Sequence, residues 1–146
     1  ALLAGEMSGH VCFADSYYGF DDAIYAACRI LQIVASSKVK VSEMLLDVPK
    51  TAATPEIRVD CPDDRKFEIV RELTESFSNK YDVIDIDGAR VNFDQGWALI
   101  RASNTQPIIV FRFEANNTES LDEIISLVRK AMSKYEPIVT LGQELC

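Results

Sequence analysis

The chain has 146 residues, 48% of them hydrophobic and 26% charged, the make-up of one soluble globular domain or of one domain with part of another. Its net charge of −8 disfavours general attraction to nucleic acid or to an anionic membrane. Any anionic ligand must therefore be held by a local positive site. No apolar run reaches the ~18 residues of a membrane span, and no signal-peptide pattern is present. The chain opens without a methionine, inside the apolar run "ALLAGE", and is expected to be a piece of a longer polypeptide.

Residues 1–14 predict a strand, a turn from Gly5 to Gly9, and a second strand, "HVCFA". A helix follows from about Phe20 to Ser36. Asp21 and Asp22 are placed in its first turn, where carboxylates suit the positive end of the helix dipole. Ile24, Ala27, Cys28, Leu31 and Ala35 form one apolar stripe at helical spacing. A short helix over "SEMLLD" is expected to stop at Pro49. The stretch "PKTAATP", from Pro49 to Pro55, is small, polar and bounded by prolines, the composition of a linker.

"EIRVDC" alternates as a strand with Ile57, Val59 and Cys61 on one face. Residues 63–79 predict a helix with Phe67, Val70, Leu73 and Phe77 on one side. Four strand candidates come next: "DVIDID", "ARVNF", "GWALIRA" and "PIIVFRFEA". A last helix spans about 118–134, opened by Thr118 or by the capping box Ser120-x-x-Glu123, with Leu121, Ile124, Ile125, Val128 and Met132 facing inward. The order β-α-β-β-β-β-α predicts an α+β domain, an antiparallel sheet of four to five strands with both helices on one face. Residues 136–146 have no clear period and are read as a tail. The expected organisation is thus 1–50 as the C-terminal part of an α/β domain, 51–55 as linker, 56–135 as the α+β domain and 136–146 as tail.

The four cysteines, Cys12, Cys28, Cys61 and Cys146, form no C-x-x-C pair, and the first three lie in apolar periodic segments. They read as buried, reduced thiols of a cytoplasmic protein. "DIDG" (Asp85 to Gly88) fails the spacing of a calcium loop, and Asp87-Gly88 between two alternating strands reads as a hairpin turn. His10 and Cys12 share a face of one strand, but core packing of Cys12 is preferred to a Cys–His catalytic pair. "YYGFDD" reads as aromatic packing under a helix start.

Two segments carry more chemistry. "GEMSGH" places a carboxylate (Glu6), a hydroxyl (Ser8) and the only histidine (His10) in a turn with two glycines. It is either a tight turn with incidental polar residues or a ligand loop. "RASNT" joins two strands without the Asn-Gly or Asp-Gly of a plain two-residue hairpin. Arg101, Ser103, Asn104 and Thr105 gather a guanidinium fork, hydroxyls and an amide, donors suited to phosphate oxygens. The alternative is that Ser, Asn and Thr cap the turn while Arg101 points to solvent.

Together these segments resemble the α-D-phosphohexomutase superfamily, specifically its bacterial phosphomannomutase/phosphoglucomutase members. "GEMSGH" followed by "YYGFDDAIYAA" resembles the family's sugar-recognition loop and the helix after it, in the third domain. "TPEIRVDC" resembles the hinge and first strand of the fourth domain. "DGARVNFDQGWALIRASNTQPIIVFRFEA" resembles that domain's phosphate-binding region. The likeness runs from about residue 4 to 134.

The resemblance implies a TBP-like C-terminal domain following the end of an α/β domain. It further implies an enzyme that moves a phosphoryl group between C6 and C1 of mannose or glucose through a phosphoserine and a bisphosphorylated sugar. Carried over by position, Glu6 and Ser8 would bind sugar hydroxyls and His10 would lie near the reacting centre. Arg101, Ser103, Asn104 and Thr105 would clamp the phosphate that is not transferred. The family's Mg²⁺ and hexose 1,6-bisphosphate activator are implied as well. Its reactive-serine loop (T-A-S-H-N-P) and metal loop (D-G-D-G-D-R) do not occur here. The expected chain is therefore a phosphosugar-binding portion, inactive alone and missing its N-terminal domains, with Thr54-Pro55 as the hinge. Uncovered apolar surface would favour self-association through residues 1–35. The rival is a non-enzymatic anion- or protein-binding module. Nucleic-acid binding by the sheet is disfavoured by the charge and by the lack of an aromatic and basic stripe.

Overall fold

Strand β8, Ile108–Ala115, organises most of the chain, because it is paired along both of its edges. In the computed structural model, which describes residues 1–6 and 8–135, the chain divides into two compact units, Ala1–Pro49 and one beginning at Lys50.

In the first unit, β1 (Leu3–Gly5) and β2 (Val11–Phe13) form an antiparallel hairpin, with Ala4 opposite Cys12. Helix α1 spans Ala23–Ser36. Asp22 is its N-cap, in extended conformation, and its carboxylate accepts from the amides of Ile24 and Tyr25. Asp21 is outside the helix, its backbone bridged to Cys12 of β2, so of the expected pair of first-turn carboxylates one is the cap and the other lies beside the hairpin. Tyr25 and Arg29 turn toward the hairpin: the Arg29 guanidinium lies 4.8 Å from the Phe13 ring centre, and Tyr25 stacks on Tyr17 at 3.9 Å. The apolar stripe faces the other way. Ile24 is 80% exposed and Leu31 65%. Cys28 is exposed and Cys12 half-buried, so the expectation of buried thiols holds only for Cys61; Cys146 lies outside the described residues. The segment after α1 makes a single 3₁₀ turn, Val41–Glu43, and further turns rather than the short helix expected over "SEMLLD".

The second unit is α+β, as its pattern predicts. Strands β5 (Asp82–Ile84), β6 (Ala89–Phe93), β7 (Gly96–Ala102) and β8 form an antiparallel meander. The free edge of β8 takes two strands end to end. β4 (Ile57–Asp60) pairs with Ile108 to Phe111, and β3 (Ala52–Ala53) pairs with Glu114 and Ala115. The sheet therefore has six strands rather than four or five. The linker composition of "PKTAATP" conceals this. Ala52 and Ala53 are small and fit the edge, and Thr54 is tied twice to Phe113: its amide donates to the carbonyl at 3.0 Å, and its Oγ1 accepts from the amide at 3.1 Å.

Helices α2 (Asp63–Ser78) and α3 (Thr118–Met132) pack on one face of the sheet. Alternation puts Ile57, Val59, Val91, Ala98, Ile100, Ile109, Phe111 and Phe113 on that face, where they meet Ile69, Leu73, Leu121, Ile124, Val128 and Met132 in one core. Each large side chain so buried contributes about 1.5–3 kcal/mol. The α2 face is rotated from the expected one: Phe67 is 55% exposed, while Lys66 and Ile69 point inward. Helix α3 is capped by Asn117, whose side chain accepts from the Ser120 amide, rather than by Thr118 or Ser120. Residues 136–146, read as a tail, lie outside the described residues.

Candidate functional site

The two segments singled out by sequence lie in different units, and each is built by its own strands. In the first unit, the β1–β2 turn carries Glu6, Ser8 and His10. The turn closes through the Glu6 amide donating to the His10 carbonyl (2.9 Å) and the Gly9 amide donating to the Glu6 carbonyl (3.0 Å). Gly9 has φ +94°, a left-handed conformation open to glycine at no steric cost. The Ser8 hydroxyl donates to Glu6 Oε2 at 3.0 Å, so these two candidates form one polar pair.

His10 Nδ1 lies 2.6 Å from Asp21 Oδ2. Its pKa is raised above the ordinary histidine value, first by this hydrogen bond and then by the Asp21 charge, with a smaller push from Glu6. Asp21 therefore holds the ring through Nδ1 and leaves Nε2 directed elsewhere. A hollow of about 420 Å³ is lined by Ala4, Gly5, Glu6, His10, Cys12 and Asp21. Asp21 is the residue that pattern reading misassigned. The available signal was that one helix needs one N-cap, and Asp22 fills that place. The Asp22 carboxyl is held below its usual range, first by the Tyr17 hydroxyl that donates to it at 2.6 Å and then by the helix amides.

In the second unit, Arg101 and Ala102 end β7, and Ser103 to Gln106 make the turn into β8. Ser103 is buried and its Oγ accepts from the amides of Thr105 (3.3 Å) and Gln106 (3.2 Å). Its own amide donates to the Ile108 carbonyl at 3.1 Å. Ser103 thus caps the loop from inside, while Asn104 and Thr105 are exposed. With its acceptor side engaged by backbone, the Ser103 hydroxyl still has a proton to donate. Arg101 is half-exposed and its Nη1 stands 3.4 Å from Asp87 Oδ2. Asp87 sits at the β5–β6 turn, where Gly88 has φ +84°. A Cβ on Gly88 would come within 2.3 Å of the Ile100 carbonyl oxygen. That close approach is what brings the turn against Arg101.

Of the capping expected of Ser, Asn and Thr, the structure shows that of Ser103, and Arg101 meets Asp87 rather than solvent alone. Ser103 does the capping, and Arg101 presents its guanidinium at the loop entrance. Among the described residues no three His, Cys, Asp or Glu side chains gather as a metal site. Nor is any helix among them long and apolar enough to cross a membrane.

Taken together, the chain pairs a carboxylate–hydroxyl–imidazole turn on one unit with a guanidinium–hydroxyl loop on an α+β unit, groups that suit polyol and anion recognition. Comparison with known proteins narrows this. Residues 56–131 match the phosphoglucomutase/phosphomannomutase C-terminal domain, and residues 1–52 match alpha/beta/alpha domain III of the same enzymes. The chain belongs to the phosphoglucomutase/phosphomannomutase family. A phosphomannomutase/phosphoglucomutase of Pseudomonas putida is 39% identical over 142 residues, covering 97% of this chain and 31% of that protein. A phosphoglucomutase of Neisseria gonorrhoeae is 42% identical over 127 residues, covering 85% of this chain and 27% of that protein. The crystal structure of a phosphoglucomutase/phosphomannomutase family protein from Burkholderia thailandensis superposes with a TM-score of 0.77 at 38% identity, over 94% of this chain and 29% of that one. The chain spans about three tenths of the length of these relatives.

Proposed function

We propose that this chain is the sugar-recognition and phosphate-gripping portion of a cytoplasmic phosphohexomutase, which interconverts hexose 1-phosphate and hexose 6-phosphate of mannose or glucose. The observation that carries the proposal is the Arg101–Ser103 loop, lying within the stretch that matches the family's C-terminal domain. In this proposal the Arg101 fork and the Asn104 and Thr105 side chains hold the phosphate that is not being transferred, with the Ser103 hydroxyl proton as a further donor. Glu6 and Ser8, coupled at 3.0 Å, bind sugar hydroxyls. His10, oriented by Asp21, offers Nε2 to the reacting end as acid, base or fixed charge.

Such a grip suits a reaction that presents either end of the sugar in turn to a phosphoserine, with a bisphosphorylated sugar between the two transfers. Binding the remote phosphate orients the reacting one. The phosphoserine, the Mg²⁺ and the residues that hold them belong to the rest of the proposed enzyme, as does the response to hexose 1,6-bisphosphate. The chain alone is accordingly proposed to be inactive. Closure of the phosphate-gripping domain over substrate would pivot upstream of Thr51 rather than at Thr54-Pro55, since Thr54 is bonded into the sheet.

The test is titration with glucose 6-phosphate while following backbone amides by NMR. Shifts centred on residues 101–105 are expected. Silence there would favour the anion- or protein-binding module with no enzymatic context.

A further inference from the structure

Among the described residues two polar side chains are buried, Lys66 at 3% exposure and Ser103 at 8%, and both converge on the same loop. Lysine is almost never fully buried without partners, because its ammonium loses strong hydration. Lys66 has two. Its Nζ donates to Asp63 Oδ1, one turn earlier in α2, at 2.6 Å, and to the Gln106 carbonyl at 2.8 Å. The Phe67 ring centre lies 5.1 Å away and covers it.

Gln106 is where the loop leaves for β8, and its backbone groups are both engaged. The carbonyl accepts from Lys66 and from the Ile108 amide (2.9 Å), and the amide donates to Ser103 Oγ. The adjoining Pro107 carbonyl accepts from the Cys61 amide at 2.8 Å. The loop is thus closed from inside by Ser103 and suspended from outside at its exit, on the side chain of Lys66 and the end of β4. Lys66 lies on a helix rather than on a neighbouring loop, so the tether fixes loop position relative to the rigid core.

We infer that Lys66 is a positioning residue for the phosphate loop: its tether to the Gln106 carbonyl keeps Ser103 and Thr105 in the arrangement that accepts a phosphate monoester. Asp63 neutralises most of its charge, so its contribution is geometric rather than a long-range pull on the anion. This inference rests on the phosphate role proposed for residues 101–105, but one of its consequences does not need a ligand. Without the tether, the Thr105 and Gln106 amides should lose protection, because the Gln106 carbonyl would no longer be anchored to α2 and their bonds to Ser103 Oγ would open more readily.

The experiment compares the chain with its Lys66→Met, Lys66→Arg and Asp63→Asn variants. Amide hydrogen exchange is measured without ligand, and affinity for glucose 6-phosphate by NMR titration. Lys66→Met is expected to speed exchange at Thr105 and Gln106 and to weaken binding roughly tenfold, while leaving the Val128 and Phe111 amides protected. Lys66→Arg should recover part of the affinity. Asp63→Asn keeps the tether and should bind within about threefold of the parent. Unchanged exchange in Lys66→Met would overturn the tether. Faster exchange with unchanged affinity would overturn its link to binding, and so would markedly tighter binding in Asp63→Asn, which unmasks the Lys66 charge and would make the effect one of charge. If Lys66→Met does not fold, Lys66→Arg with parent-like exchange but tenfold weaker binding would equally overturn it. Absence of glucose 6-phosphate shifts at 101–105 in the parent, with the tether intact by exchange, would overturn the phosphate role itself and this inference with it.

Discussion

The Asp87 carboxylate stands 3.4 Å from the Arg101 guanidinium, a contact between the β5–β6 turn and the end of β7 made by residues 14 positions apart. It is long, involves one nitrogen, and joins two side chains that are 46% and 61% exposed. Exposed pairs of this kind contribute about 0–1 kcal/mol. A phosphate binding Arg101 must displace this carboxylate or share the guanidinium with it. Asp87→Asn is therefore expected to tighten inorganic phosphate or glucose 6-phosphate binding roughly threefold, and less at high salt. Weaker binding in the variant would show that Asp87 helps to orient Arg101 instead.

The turn that presents Asp87 depends on Gly88. Alanine there would be held at φ +84° with its Cβ 2.3 Å from the Ile100 carbonyl oxygen and 3.0 Å from the Arg101 Cα. Backbone atoms cannot step aside as a side-chain tip can. Gly88→Ala is expected to cost about 2–4 kcal/mol of stability, read from urea or thermal unfolding. A cost below about 0.5 kcal/mol would mean that the turn does not sit against β7 as described.

His10 and Asp21 form a pair whose state depends on pH. The His10 pKa is raised by the Asp21 hydrogen bond, so the folded chain holds the proton more tightly than the unfolded one. The pair's contribution to stability is then fully present below the unfolded value of about 6.5, and is lost as pH rises through the raised folded value. Asp21→Asn should return the His10 ring to an ordinary titration, followed by its NMR resonances. An identical midpoint in the variant would remove Asp21 as the cause.

Helix α1 turns Ile24, Ile30, Leu31 and Ile33 outward, each more than half exposed, on a unit where Leu2 and Leu3 are exposed as well. An apolar face of that kind in water favours a partner surface. The isolated chain is expected to scatter light as a dimer or larger species, above its monomer mass of 16.3 kDa, and Leu31→Lys should shift it toward monomer. A clean monomer at high concentration would contradict this.

Strand and helix positions in the second unit were legible because periodicity is a local property. Ile57, Val59 and Cys61 alternate, and Leu121, Ile124, Val128 and Met132 recur at helical spacing, and these residues are buried. The segments "GEMSGH" and "RASNT" stood out by composition for the same reason. Where reading by period failed, the deciding partner was distant. Phe67 satisfies an apolar stripe as well as Ile69 does, but the sheet accepted Ile69 and left Phe67 outside.

The amino-acid sequence by itself determined the order of elements from β4 to α3, the α+β class of the larger unit, and which two loops collect the polar groups. The tertiary structure alone decided what those groups do to one another. Lys66 became a buried tether because the Gln106 carbonyl, 40 residues away, lies within reach of its ammonium. Asp21 became the partner of His10 because the β2 bridge brings its backbone beside Cys12. Ala52 and Ala53, which read as linker, became strand because β8 offered an unpaired edge. Propensity and period act over a few residues, whereas a hydrogen bond to a buried ammonium or to a free strand edge depends on which surfaces the fold brings within about 3 Å.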